Sequence, residues 1–181
     1  MPAPDLPTFI GHVWMNGGPW LIADRLDAET WTGIDGDYQE KILPLTAWDT
    51  EISVGDGGGL VLSSDYDDST IEVFRVSPSE LLIVGVRYAN AMSPAEFLKD
   101  AHTLDLAREG RMDVRSGAVA IFESALAWYD GSIVAGTEMH GGVEHDGKIL
   151  VTPLESGSYA LVGREVDRDE YGLAVWRLRP E

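Results

Sequence analysis

The chain has 181 residues, 44% of them hydrophobic, and its 31 acidic and 13 basic side chains give a formal charge of −18. A chain of this length buries roughly 70% of its unfolded surface, so we expect one stable domain over 1–181 without help from metals. The absence of cysteine excludes disulfides and zinc–thiolate sites, and the negative charge disfavours binding to nucleic acid or anionic lipid.

No apolar run approaches the ~20 residues that a membrane-spanning helix needs. Residues 1–7 lack the basic and apolar regions of a secretory signal peptide. We therefore expect a cytoplasmic protein that does not act at a membrane.

The N-terminal part predicts two short strands, around Ile10–Trp14 and Trp20–Ala23, joined by Asn-Gly-Gly-Pro at 16–19. Asn-Gly between apolar runs is typical of a hairpin turn, because both residues tolerate positive φ. Residues 24–50 are acidic with scattered aromatic residues. They predict an ordered loop with room for one short helix, held to the core by those aromatic residues.

The next part of the chain predicts an antiparallel meander. Short apolar runs bounded by clusters of turn residues are typical of antiparallel strands. The predicted strands cover residues 51–54, 60–63, 70–76 and 81–88.

A single helix is predicted between two β-rich halves. Ser93-Pro94-Ala95-Glu96 is a capping box with proline at the first helical position, and the helix should cover residues 94–108 and end near 108–110. The second half predicts strands at 118–122, 125–129, 132–135, 148–152, 158–164 and 173–178. The fold class is therefore α+β and β-rich, with mainly antiparallel strands.

A weak internal repeat relates the two halves. Asp56–Leu62 and Asp146–Val151 each run from Asp-Gly into an apolar strand. The repeat would comprise residues 9–90 and 116–181, on either side of a helical insert at 93–109.

The candidate motifs predict neither a catalytic centre nor a cofactor or metal. His140 and His145 are five residues apart across a Gly-Gly bend, a spacing more typical of a surface loop than of a zinc site. Residues 65–68 lack the rest of an EF-hand, and the glycine-rich stretch 55–59 leads into a strand rather than a phosphate-binding helix. There is no Gly-x-Ser-x-Gly motif.

Two alternative functions stay open at this stage. Carboxylates are so numerous that a hydrolase using an acid–base pair, or a metal-dependent enzyme using His140 and His145, is an alternative to a binding protein. Exposed tryptophans would favour a glycan-binding module, although most of the six lie in apolar runs that predict a core role. They are Trp14, Trp20, Trp31, Trp48, Trp128 and Trp176.

The acidic residues are concentrated in one segment. Residues 24–72 contain thirteen acidic side chains and only two basic ones, Arg25 and Lys41. Such a segment is either a well-solvated surface or a face that binds a basic partner, and composition does not decide between them.

Several short motifs in the first 90 residues resemble the Immunity protein 21 family of bacterial polymorphic toxin systems. They occur in the family's order: Gly17-Gly18-Pro19, Trp31-Thr-Gly33, Asp37-Tyr38, Gly59-Leu-Val-Leu62 and Val86-Arg-Tyr-Ala89. The resemblance extends to the C-terminal half only in general style. It implies a predicted antidote that binds and neutralises a cognate toxin domain, which would be a protein–protein interaction and not an enzymatic activity.

The motif residues themselves are expected to be scaffold residues. Gly17, Gly18 and Pro19 predict a turn, Gly33 belongs with Trp31 to the Trp-x-Gly motif, and Trp31 and Tyr38 predict core anchors. For toxin contacts we expect acidic residues in loops of the most acidic segment, facing a basic toxin surface such as a nuclease groove. These residues are Asp35, Asp37, Asp65, Asp67 and Asp68.

Overall fold

A computed structural model describes residues 7–14, 19–45, 50–62, 70–89, 107–130, 132–134, 148–168 and 171–181. It confirms a β-rich fold of mainly antiparallel strands with little helix. The first half contains β1 (Thr8–Trp14), β2 (Trp20–Asp24), the helix α1 (Arg25–Ala28), a 3-10 turn (Gly33–Asp35), a π-helical turn (Tyr38–Ile42), β3 (Glu51–Val54), β4 (Gly57–Leu62), β5 (Thr70–Ser77) and β6 (Glu80–Ala89). The second half contains β7 (Ala107–Val114), β8 (Ala118–Glu123), a 3-10 turn (Trp128–Asp130), β9 (Ser132–Val134), β10 (Lys148–Pro153), β11 (Gly157–Arg168) and β12 (Tyr171–Pro180).

The strands form two six-stranded sheets. Sheet A has the order β1-β5-β6-β12-β11-β7, and sheet B has the order β3-β4-β2-β8-β10-β9. If each strand from β1 to β6 is exchanged with the strand six positions later in the chain, the order of each sheet becomes the same order read from the other edge. The two halves therefore contribute equivalent strands to both sheets, and the strand order repeats with a period of six.

The central strand pairs show where the two halves meet. In sheet A, β6 pairs antiparallel with β12, and Val84 lies opposite Val175. In sheet B, β2 pairs antiparallel with β8, and Ile22 lies opposite Ile121. The equivalence ends at one edge of sheet B, because β9 runs parallel to β10 whereas β3 is antiparallel to β4.

Two apolar layers stabilise this arrangement. Residues of both sheets, among them Trp20, Ile22, Leu161 and Trp176, share the core between the sheets. A second apolar cluster lies on the opposite face of sheet B, where Leu21 and Phe122 pack with Trp31. The cover over this second face consists of residues 25–45 and 124–129, which we call the cap layer.

The sequence predicted a hairpin or a tight turn between the first two strands, and the structure excludes the hairpin. β1 and β2 form where the sequence places them, but β1 belongs to sheet A and β2 to sheet B. Residues 15–18, which include Gly17 and Gly18, lie outside the described residues.

The predicted four-stranded meander is two separate hairpins. β3 pairs with β4 in sheet B, and β5 pairs with β6 in sheet A. β4 keeps β3 on one side and pairs on its other side with β2 instead of β5, which places the buried side chains of 60–62 inside sheet B.

Two further predictions are wrong in the second half. Residues 107–110, where the helix was expected to end, belong to β7; the rest of the predicted helix lies outside the described residues. Residues 125–129, predicted as a strand, form a turn followed by the 3-10 turn at Trp128–Asp130. Their apolar side chains cover sheet B from outside, where Leu126 and Trp128 pack on the second cluster.

Candidate functional site

Two of the five predicted toxin contacts lie in the described cap layer, and they differ in role. Asp35 ends the 3-10 turn and is exposed. The Asp37 carboxylate accepts hydrogen bonds from the Thr32 backbone N–H at 2.9 Å and the Thr32 hydroxyl at 2.7 Å, and lies 2.6 Å from the Lys41 ammonium. Asp37 therefore organises the layer internally. Asp65, Asp67 and Asp68 lie outside the described residues.

The ionisation of Asp37 agrees with this internal role. Burial alone would raise the pKa of its carboxyl, but the hydrogen bonds from Lys41 and Thr32 outweigh it, and the pKa lies below the ordinary 3.8. Lys41 also lies 5.7 Å from the centre of the Trp31 ring, where a cation is attracted by the ring face. Asp37 thus positions the Lys41 ammonium over the ring of Trp31.

The scaffold residues of the family-like motifs meet at the segment 124–128. The Pro19 carbonyl accepts from the Ser124 backbone N–H at 3.0 Å, and the Trp31 indole N–H donates to the Ser124 carbonyl at 2.7 Å. Trp31 is buried and Tyr38 packs on the same cluster, so both are core anchors as predicted. These motif residues fix the cap layer to sheet B.

Gly33 allows its own backbone to lie in close contact with the backbone of residues 125–127. Its φ is +69°, and a Cβ there would lie 2.4 Å from the Ala127 backbone nitrogen. On either side of it, the Trp128 N–H donates to the Trp31 carbonyl and the Ile34 N–H donates to the Ala125 carbonyl. Only glycine fits this junction without moving the backbone.

A polar cluster at one end of sheet B was not predicted from the sequence. The buried Asp24 carboxylate accepts from the Leu26 N–H at 3.0 Å and from the Arg115 and Ser116 N–H groups at 2.7 Å each. The buried Asp27 carboxylate accepts two 2.6 Å hydrogen bonds from the Arg115 guanidinium and one from the Asp56 N–H. An open pocket of about 570 Å³ lies over the cluster.

The chemistry of this cluster is that of a structural anchor. Burial alone would raise the pKa of Asp24, but the Ser116 and Arg115 hydrogen bonds more than offset it and leave the pKa below its usual value. A carboxylate with its oxygens occupied by fixed donors neither gives nor takes a proton near neutral pH. Gly57 permits the close packing, because a Cβ there would lie 2.4 Å from an Asp27 oxygen.

The described residues supply no observation that favours the hydrolase or metal-enzyme alternatives. Within them there is no group of three or more His, Asp or Glu side chains placed to hold a metal ion. His140 and His145 lie outside the described residues. Of the tryptophans whose burial the structure describes, Trp20, Trp31 and Trp176 are buried and Trp128 packs on the second cluster, so these four form no exposed tryptophan platform.

Comparison of the chain with protein-family models, with curated proteins and with solved structures gives no match. The part of the chain that the structure describes contains no helix long and apolar enough to cross a membrane. The functional argument therefore depends on the surface of the molecule itself.

The outer surface of the cap layer has the composition of a binding surface. Asp35 and Glu40 are exposed, and within the described residues neither makes an ion pair or side-chain hydrogen bond. Both basic residues of the layer are already paired, Arg25 with Glu29 at 3.1 Å and Lys41 with Asp37. The surface thus presents unneutralised negative charge on a rigid support.

The sequence contained part of the information needed to find these residues. Asp24 is the N-cap of α1 and Asp27 lies in its first turn, both typical positions for an acidic residue, but the sequence prediction left the short helix unplaced within 24–50. No local pattern indicates that Arg115, some 90 residues later, reaches them. Tyr129 was placed at the end of the predicted strand 125–129, and no motif marks it as exposed.

Proposed function

We propose that this chain is an immunity protein that binds a cognate bacterial toxin domain and neutralises it by covering its functional surface. The observation that supports this most directly is the cap layer, where Asp35 and Glu40 project unpaired acidic groups from a firmly anchored surface. The family-like motifs support it as well, because their described residues build the junction that holds this layer in place.

The chemistry of the partner follows from charge. At −18 the protein is attracted to basic surfaces, and complementary potentials raise association rates by 10-fold to 1,000-fold at low ionic strength. A nuclease toxin has a basic substrate groove, so an acidic surface that occupies the groove blocks access of nucleic acid. A basic toxin domain, and a nuclease in particular, is the partner that this surface suits best.

The test uses as its probe the purified product of any candidate toxin gene that adjoins the gene for this protein. Association is measured by stopped-flow fluorescence over a salt series from about 0.01 to 0.5 M, a range in which the Debye length falls from roughly 30 Å to less than 8 Å. The proposal expects tight binding, loss of toxin activity in the complex, and an association rate that falls steeply with salt. A toxin domain that stays fully active with excess protein would refute it.

A matched pair of variants identifies the acidic surface. Glu40→Gln removes a charge from the cap layer, and Glu155→Gln removes one from the exposed loop between β10 and β11. We expect Glu40→Gln to slow association by about two- to five-fold at low salt, because each lost charge facing several basic groups costs about 0.4–1 kcal/mol. Glu155→Gln should leave the rate nearly unchanged, and equal effects of the two would remove the cap layer from the interface.

A further inference from the structure

The large hydrophobic side chains that are exposed in the described residues all lie in the cap layer. They are Leu26 at 58%, Ile34 at 55%, Leu43 at 64% and Tyr129 at 76% exposure. Single exposed apolar residues are common on protein surfaces, but their confinement to one layer of a two-sheet protein needs an explanation. We call these four residues the apolar set.

Two members of the set, Ile34 and Tyr129, lie beside the most rigid junction of the layer. Ile34 donates its backbone N–H to Ala125 at 2.9 Å, and the residue before Tyr129 donates its N–H to Trp31 at 3.0 Å. Beneath this junction the ring of Phe122 lies between those of Trp31 and Trp128, with both pairs edge to face at 6.3 Å. The backbone that presents Ile34 and Tyr129 is thus fixed before any partner arrives, which lowers the entropic cost of binding.

The charges around the apolar set specify the partner. Asp35 directly follows Ile34, and Glu40 lies one turn before Leu43. Protein interfaces combine an apolar or aromatic centre with a polar rim, and tyrosine is among the residues that contribute most to binding. An acidic rim repels a second copy of this acidic chain and attracts a protein with lysine or arginine beside an apolar pocket.

We infer that Ile34 and Tyr129, which are presented by the two segments that meet at the Gly33 junction, form the apolar anchor that binds the toxin domain. This inference rests on the proposed function and deepens it, because it divides the interface into two parts. The apolar anchor holds the complex together and sets its dissociation rate. The acidic rim of Asp35 and Glu40 guides the approach and sets the association rate.

The experiment measures both rates for the purified toxin domain with Tyr129→Ala, Ile34→Ala and the exposed control Arg164→Ala on β11. All three positions are exposed, so each variant should fold, and its unfolding transition is compared with that of the wild type. Tyr129→Ala should weaken binding about 30-fold through faster dissociation, as for the central residues of known interfaces. Ile34→Ala should weaken it several-fold in the same way, and Arg164→Ala should change it by less than two-fold.

The outcomes separate the two proposals. If the wild type inhibits the toxin and both cap-layer variants bind as tightly as the wild type, the apolar anchor is refuted and the immunity function stands. If the wild type neither binds nor inhibits the toxin, the proposed function fails and the anchor falls with it. If sedimentation of the protein alone shows a dimer that Tyr129→Ala dissociates, the surface belongs to a second copy and the inference is overturned.

Discussion

Replacing Gly33 with alanine tests whether the junction of the cap layer depends on close backbone contact. A Cβ at Gly33 would lie 2.4 Å from the Ala127 nitrogen and 2.8 Å from both the Ala125 oxygen and the Leu126 carbonyl carbon. These are backbone atoms and cannot rotate away. The segments must therefore separate, at the expense of the Ile34–Ala125 and Trp128–Trp31 hydrogen bonds.

The expected cost has three parts. Alanine at a φ of +69° costs about 1 kcal/mol, loss of the two hydrogen bonds costs about 1 kcal/mol each, and forcing a methyl group into packed backbone costs about 1–3 kcal/mol. We expect the free energy of unfolding to fall by about 4–6 kcal/mol. Gly117→Ala is the matched control, because Gly117 has a φ of +76° but its Cβ would meet only the Ser156 hydroxyl, at 4.0 Å.

The assay is equilibrium urea unfolding of both variants, followed by tryptophan fluorescence. Gly117→Ala should lose only the backbone term, about 1 kcal/mol, so the difference between the variants isolates the collision at the junction. Gly33→Ala should also weaken toxin binding, since Ile34 and Tyr129 are presented by the separated segments. Equal losses of stability in the two variants would show that contact with residues 125–127 is not what requires glycine.

Three further predictions concern buried polar groups. Asp24→Asn should lower the free energy of unfolding at pH 7 by about 2–3 kcal/mol and make stability fall less in acid. A carboxyl with a lowered pKa stabilises the fold above its ordinary pKa of 3.8 and stops doing so as pH falls through the folded-state pKa. Urea unfolding from pH 7 to 3 tests this. Glu72→Gln should change stability in the opposite direction, because burial raises the pKa of Glu72 and one of its carboxylate oxygens has no hydrogen-bond partner, so that the charged form destabilises the fold at neutral pH. The variant should gain about 0.5–1 kcal/mol of stability at pH 7, and this gain should disappear below pH 4.5. A loss of stability at pH 7 would refute this account. Trp31→Phe should cost about 2–3 kcal/mol in thermal unfolding, because the Ser124 carbonyl loses its indole donor and a smaller ring leaves a void; a cost below 1 kcal/mol would contradict the assigned hydrogen bond.

The strands that could be predicted from the sequence are those whose signals are local. The run 51–54 was predicted with its bounds correct, and the turns at 55–56 and 78–79 mark both hairpins. β7 was missed because Met112 and Val114 are its only large apolar residues in the core, and the remainder of the strand is charged residues, Gly110 and the small Ala107. The helix predicted to follow the capping box at 93–96 therefore overlapped the first two residues of β7.

Which strands pair could not be predicted, because pairing depends on contacts between distant residues. The same apolar alternation fits a strand in either sheet, so the sequence of 60–62 does not distinguish pairing with β2 from pairing with β5. The candidate functional site could likewise be predicted only where the information is local. Trp31 and Tyr38 could be identified as anchors from their aromatic side chains, whereas the exposure of Tyr129 and the reach of Arg115 depend on where distant segments cross.

The strand order that repeats with a period of six has a consequence for how the chain is made. The central pairs join residues 90 to 100 positions apart, as in Val84–Val175 and Ile22–Ile121. Folding that depends on such distant pairings is slow, because long loops must close before the contacts form. Sheet A is not complete until its last strand, β12, has been synthesised, whereas sheet B has all its strands once β10 has been made. The proposed immunity function therefore requires that the protein be synthesised and folded before the toxin becomes active.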